Sequence, residues 1–123
     1  MHIKDISNEQ CAQFVEDYLS NIKNDNISSR PIKIQKVERT DGHVQVFAKQ
    51  RQKHLVHNTK LTQKYIVTFA NLTNETMVAM LEMEIDKGVE PMKVDVSKDA
   101  NQYFEEHLKQ VEKSTLNINI SIF

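Results

Sequence analysis

Tryptophan is absent from this 123-residue chain, glycine and proline occur twice each, and cysteine once. Each shortage excludes something. Phosphate-cradling loops and dinucleotide fingerprints need glycines clustered where backbone meets phosphate, whereas Gly42 and Gly88 stand far apart. No cofactor is expected. A lone Cys11 makes no internal disulfide, which suits a reducing compartment. With no repeat and no Pro/Gly/Ser-rich linker, nothing divides the chain, so residues 1–123 are expected to form one domain. Long apolar runs are missing too: nothing approaches the ~18 residues a membrane span needs, and no basic-then-apolar leader opens the chain. The expectation is a soluble, cytoplasmic protein with no membrane role.

What is present suffices for a core, with 39% hydrophobic residues set against 27% charged ones. Ser7 and Gln10 match a capping box, and Ile6 with Cys11 a hydrophobic staple. Cys11, Phe14, Val15, Tyr18, Leu19 and Ile22 then recur at helical spacing, which predicts a helix over about 8–24. From Pro31 to about Asn71 the period is two, and three strands follow one another. Thr40-Asp41-Gly42 reads as the first turn. A two-residue turn pairs Thr40 with His43; a three-residue turn with left-handed Gly42 pairs Arg39 with His43 and Ile34 with Ala48. The second is preferred, because it gathers Ile32, Ile34, Val44, Val46 and Ala48 on one face without a bulge.

Helical spacing returns after Thr73, a candidate cap, in Met77, Val78, Met80, Leu81 and Ile85, with a stop at Lys87-Gly88. Met92–Val96 alternates as a short strand. Ser97 then opens a third helix, with Ala100, Tyr103, Phe104, His107, Leu108 and Val111 on its stripe, and Leu116–Phe123 alternates as a last strand. The expected fold is α+β: an antiparallel sheet, made of a three-stranded meander plus two further strands, with three helices in the order α-β-β-β-α-β-α-β.

Charge is unevenly placed. Residues 1–29 carry two lysines against five acids, net −3, and residues 65–123 five lysines against ten acids, net −5. Residues 30–64 carry nine Lys/Arg against two acids, net +7. That basic block is the meander. On a strand Lys49, Arg51 and Lys53 project from the side opposite Val44, Val46 and Ala48, and the preferred register sets Lys33 across from Lys49. Like charges so placed repel unless an anion intervenes. Phe47 shares that face. A cationic sheet face with an aromatic ring is suited to phosphates and a stacked base. Lys33, Lys49, Arg51 and Lys53 are the main candidate contacts, together with Phe47, and Lys36, Arg39, Lys60 and Lys64 are auxiliary. The plainer alternative is a solvated face whose lysines protect strand edges or are neutralised by the acidic helices.

Other chemistry-bearing residues read as structural. His54 and His57 have ligand-like spacing but no cysteine nearby, so no metal site is expected. Cys11 lies on an apolar helix face near acids, which suits a core residue better than a nucleophile. His107 sits in a helical stripe, and Met77, Met80 and Met83 read as helical core. No catalytic residue emerges, and no enzyme is expected.

Two families share the element order. The first five elements resemble double-stranded-RNA-binding domains, which place a basic cluster at the start of the second helix; here that position reads Asn74-Glu75-Thr76. With a strand at His2–Ile6 the order also resembles GNAT-type N-acetyltransferases, and Gly88-Val89 through Tyr103-Phe104 is similar to their late strand and helix. Their acetyl-coenzyme A pyrophosphate loop would fall near Ala70–Thr76, which lacks glycine and arginine. The resemblance thus implies a degenerate scaffold. Three readings are carried forward. The first is a non-enzymatic binding protein whose basic sheet face engages nucleic acid or a nucleoprotein complex. The second is a small phage or mobile-element inhibitor or accessory protein acting through a protein partner, with homodimerisation through strand 116–123 available. The third is the degenerate scaffold.

Overall fold

The computed structural model describes residues 1–22, 25–84 and 90–107. Among them the chain forms an α+β fold, with two helices on one face of a six-stranded antiparallel sheet. After a 3-10 turn at Ile3–Asp5 comes helix α1 (Asn8–Ser20), then strands β1 (Ile27–Ser29), β2 (Lys33–Arg39), β3 (His43–His54), β4 (Thr59–Asn71), β5 (Met77–Glu84) and β6 (Met92–Asp95). Residues 97–107 form α2. The sheet runs β1-β3-β4-β5-β6, with β2 also pairing β3. Thus β1 and β2 share one edge of β3: Lys33–Arg39 pairs with Val44–Lys49, and Ile27–Ser29 with Gln52–His54.

α1 starts as its sequence dictates. The Ser7 hydroxyl accepts from the Gln10 amide at 3.1 Å, and the Gln10 side chain accepts from the Ser7 amide at 2.8 Å. Its buried stripe is Cys11, Phe14, Val15 and Leu19. Against it lie Val44, Val46 and Ala48 of β3, Val67 and Phe69 of β4, Met77, Ala79 and Leu81 of β5, and Ala100 and Phe104 of α2. The Phe14 ring stands 5.3–5.9 Å from those of Tyr18, Phe69, Tyr103 and Phe104. The Tyr103 hydroxyl donates to Asp17 Oδ2 at 2.8 Å, tying the helices together. Burial and this bond to Asp17 hold the Tyr103 phenol well above its ordinary range.

The second expected helix is strand β5. Met77, Ala79 and Leu81 are buried and alternate with less buried neighbours, a period of two where helical spacing predicts 3.6. Thr73 does not cap a helix. Its hydroxyl accepts from the amides of Glu75 and Thr76 and closes the β4–β5 turn. Six strands follow α1 among the described residues, so the order of helix, three strands and helix shared with both families is not formed, and Ile3–Asp5 forms a 3-10 turn instead of a strand. Ser97 is not a cap either. Its hydroxyl accepts from the Ala79 amide at 2.9 Å and satisfies β5 beyond the end of β6.

Neither register of the first hairpin holds along its whole length. Ile34 faces Ala48 and Lys33 faces Lys49, as the preferred register requires, yet Arg39 faces Val44, and Thr40 bonds His43 across a two-residue turn. A bulge at Gln35, between the Ile34 and Lys36 pairings, reconciles the two. It turns both Ile34 and Val37 toward the core, and Gly42 need not be left-handed. The expectations for Ile85, for Lys87-Gly88, for Leu108 and Val111, and for strand 116–123 with its dimer lie outside the described residues.

Candidate nucleic-acid interface

Between β3 and β4 the pairing is unbroken from His43↔Ala70 to His54↔Thr59, so alternate residues keep to one face. Lys49, Arg51 and Lys53 therefore project away from the helices. Lys33 faces Lys49 and Lys49 faces Lys64, which sets three lysines abreast across three strands, and Lys53 faces Lys60 nearer the turn. Opposed Cβ atoms in such a ladder lie ~5 Å apart, and like charges at that spacing destabilise the sheet. Among the described residues none of these six cations has an ion pair, and the single salt bridge joins Lys36 to Glu38 at 2.9 Å. Glu84 faces Lys64 without reaching it.

Arg30 completes the surface, although no sequence signal marked it as a contact. Pro31 has no amide to donate and interrupts the edge between β1 and β2. The Arg30 backbone is held on both sides, its amide donating to Arg51 O and its carbonyl accepting from the Gln50 side chain, each at 2.9 Å. A groove of about 320 Å³ is lined by Arg30, Pro31, Lys33, Lys49 and Arg51. It shares Arg30 and Arg51 with a larger one of about 670 Å³, bordered also by Lys53, Lys60, Ser28 and Thr62. Guanidiniums, ammoniums and hydroxyls converging on concave surface are donors for phosphate oxygens.

Three expected contacts have other engagements. Arg39 lies on the helix side: its Nε donates to Asn8 Oδ1 at 2.8 Å, and its terminal nitrogens donate to the carbonyls of Ile3 and Ile6. Arg39→Ala is expected to cost about 1–2 kcal/mol in urea denaturation, by leaving those carbonyls unpaired, and to leave oligonucleotide binding unchanged. Lys36 stays on the open face but lies 4.5 Å from the centroid of the Phe47 ring while paired to Glu38. Phe47 is thus covered, and half-buried, instead of free to stack on a base.

The acidic helices do not neutralise the strip among the described residues. Glu9 and Glu16 of α1 and Asp99, Glu105 and Glu106 of α2 are exposed on the far layer. The helix carboxylates therefore lie on the layer opposite the strip, whereas Glu38, Glu82 and Glu84 share the open face with it. His54 and His57 stand 4.8 Å apart, the His57 amide donating to His54 Nδ1, and no group of three metal-ligating side chains occurs among the described residues. His107 is a helix-face histidine, its Nδ1 donating to Tyr103 O at 2.9 Å. Burial pushes the Cys11 thiol up to about 11, with the charge of Arg39 pulling the other way. Cys11 is expected to resist a thiol reagent at pH 8 in the folded protein and to react fully in urea, as absorbance titration would show.

No family model, no curated protein and no solved structure matches the chain. Charge and geometry carry the functional reading. No helix of the described residues is long and apolar enough to cross a membrane.

Proposed function

We propose that the protein is a non-enzymatic binding protein whose open sheet face engages nucleic acid or a nucleoprotein complex. One observation carries this: Lys33, Lys49 and Lys64 stand abreast, continuous with the Arg30–Arg51 groove, and among the described residues none of them forms an ion pair. Such a row weakens the free sheet and becomes favourable once phosphates lie over it. With about six phosphates neutralised, affinity for a short labelled oligonucleotide is expected to fall about a thousandfold between 50 and 200 mM salt. Fluorescence anisotropy with single and double strands measures this. No binding of either at the lower salt, or binding indifferent to salt, would sink the reading.

A protein-directed inhibitor or accessory role is the second reading. It is favoured by Met80 on β5 and Met92 at the start of the edge strand β6, which are 38% and 51% exposed. A partner retained after nuclease treatment, and released by Met80→Glu/Met92→Glu, would favour it over the first.

A further inference from the structure

The turn joining β3 to β4 exposes two adjacent apolar side chains, Leu55 at 56% and Val56 at 71%. The apolar core stops at Ala48 and Tyr65, and the inward positions beyond them are the amides Gln50, Gln52 and Gln63 and the half-buried Leu61. Those amides form their own network: the Tyr65 hydroxyl donates to Gln50 Oε1 at 3.1 Å, and the Gln63 side chain donates to Glu84 O at 2.7 Å. The hairpin end is therefore held by these polar bonds together with Leu61 opposite Gln52. Asn58, at φ 54°, completes the turn, and the Leu55 amide donates to Asn26 O at 2.9 Å. Leu55 and Val56 are thus held out on an ordered support.

Cations lead away from this tip in successive rungs: Lys53 with Lys60, then Arg51, then Lys49 with Lys64. From the first rung to the last is about 13 Å along the strands. A flat lipid surface would meet the tip alone, whereas the walls of a groove follow the whole track. With Phe47 covered by Lys36 and no other Phe or Tyr on the open face among the described residues, the stacking platform that single strands require is missing. The minor groove of A-form RNA is wide and shallow, while that of B-DNA is narrow and admits apolar wedges between base steps.

We propose that the β3–β4 turn inserts Leu55 and Val56 into the minor groove of duplex DNA and bends it, the cation rungs lying along the flanking phosphates. The inference rests on the nucleic-acid reading above and adds the strand state and the mode of entry. The full chain is titrated into an end-labelled duplex and into the single strand of the same sequence, reading anisotropy and end-to-end energy transfer. Duplex affinity about tenfold above that of the single strand is expected, with energy transfer rising on binding. Leu55→Ser/Val56→Ser, at two exposed turn positions, should keep the thermal midpoint and the salt dependence but lose the rise in energy transfer. A rise unchanged in that variant, or a preference for the single strand, overturns the wedge and leaves the nucleic-acid reading standing. Equal capture by phosphatidylserine vesicles with no bending of duplex also overturns it. Failure to bind either nucleic acid overturns both.

Discussion

Replacing Lys49, Arg51 and Lys53 with glutamate is expected to lower oligonucleotide affinity at least about a hundredfold at 50 mM salt and to flatten its salt dependence. The three alternate along one face of β3, at the centre of the cation surface, and each substitution removes a phosphate contact and adds a repulsion. Losing three contacts reduces the slope of log affinity against log salt by about 2.7. Folding should move the other way. Lys49→Glu alone sets a carboxylate between Lys33 and Lys64, so two repulsive cross-strand pairs become attractive, each worth about 0.2–1 kcal/mol. That single variant should melt slightly higher than the parent. A residue that opposes stability while serving binding gives this opposed pair of readouts. A solvated, functionless face would show the stability gain with no loss of affinity. Anisotropy and thermal melts on one preparation read both, and wild-type affinity in the triple variant would rule the assignment out.

Phe14→Ala should produce the largest loss of stability, about 3–5 kcal/mol by urea denaturation. The Phe14 ring is 2% exposed and touches an aromatic group from every layer: Tyr18 of its own helix, Phe69 of the sheet, and Tyr103 and Phe104 of α2. Truncation leaves a cavity among stiff rings that close over it poorly. Since small domains are stable by only about 5–15 kcal/mol, a substantial fraction of the total would go. A loss under about 1 kcal/mol would mean that α2 is not docked on this cluster.

Where local pattern and tertiary demand agree, the elements are legible in the chain. The Ser7/Gln10 capping box starts α1, alternation marks β2 to β4, and Ala100, Tyr103 and Phe104 mark α2. Met77–Glu84 is the place where they part. A short run of Met, Val and Leu with Glu interspersed satisfies helical and strand periods alike. Intrinsic preference for helix yields there because the edge of β4 from Lys64 to Asn71 has backbone groups to pair and β5 pairs them. The first hairpin is a second case. The two-residue turn and the Ile34↔Ala48 pairing are each satisfied, at the expense of the regular ladder at Gln35.

The candidate site divides the same way. The +7 segment and the alternation of Lys49, Arg51 and Lys53 are properties of the chain, because a strand's period of two sorts side chains by parity alone. Whether a given cation is free depends on what folds against it, and no local pattern records that. Arg39 is engaged by the carbonyls of Ile3 and Ile6 because the amino-terminal turn packs over its end of β2, and Phe47 is covered because the Gln35 bulge carries Lys36 opposite it. Arg30 joins the groove because Pro31 breaks the edge beside Arg51. Composition and periodicity thus determined which face of the meander is cationic, whereas partners distant in sequence, and the geometry that brings them within reach, decided which of those cations remain available.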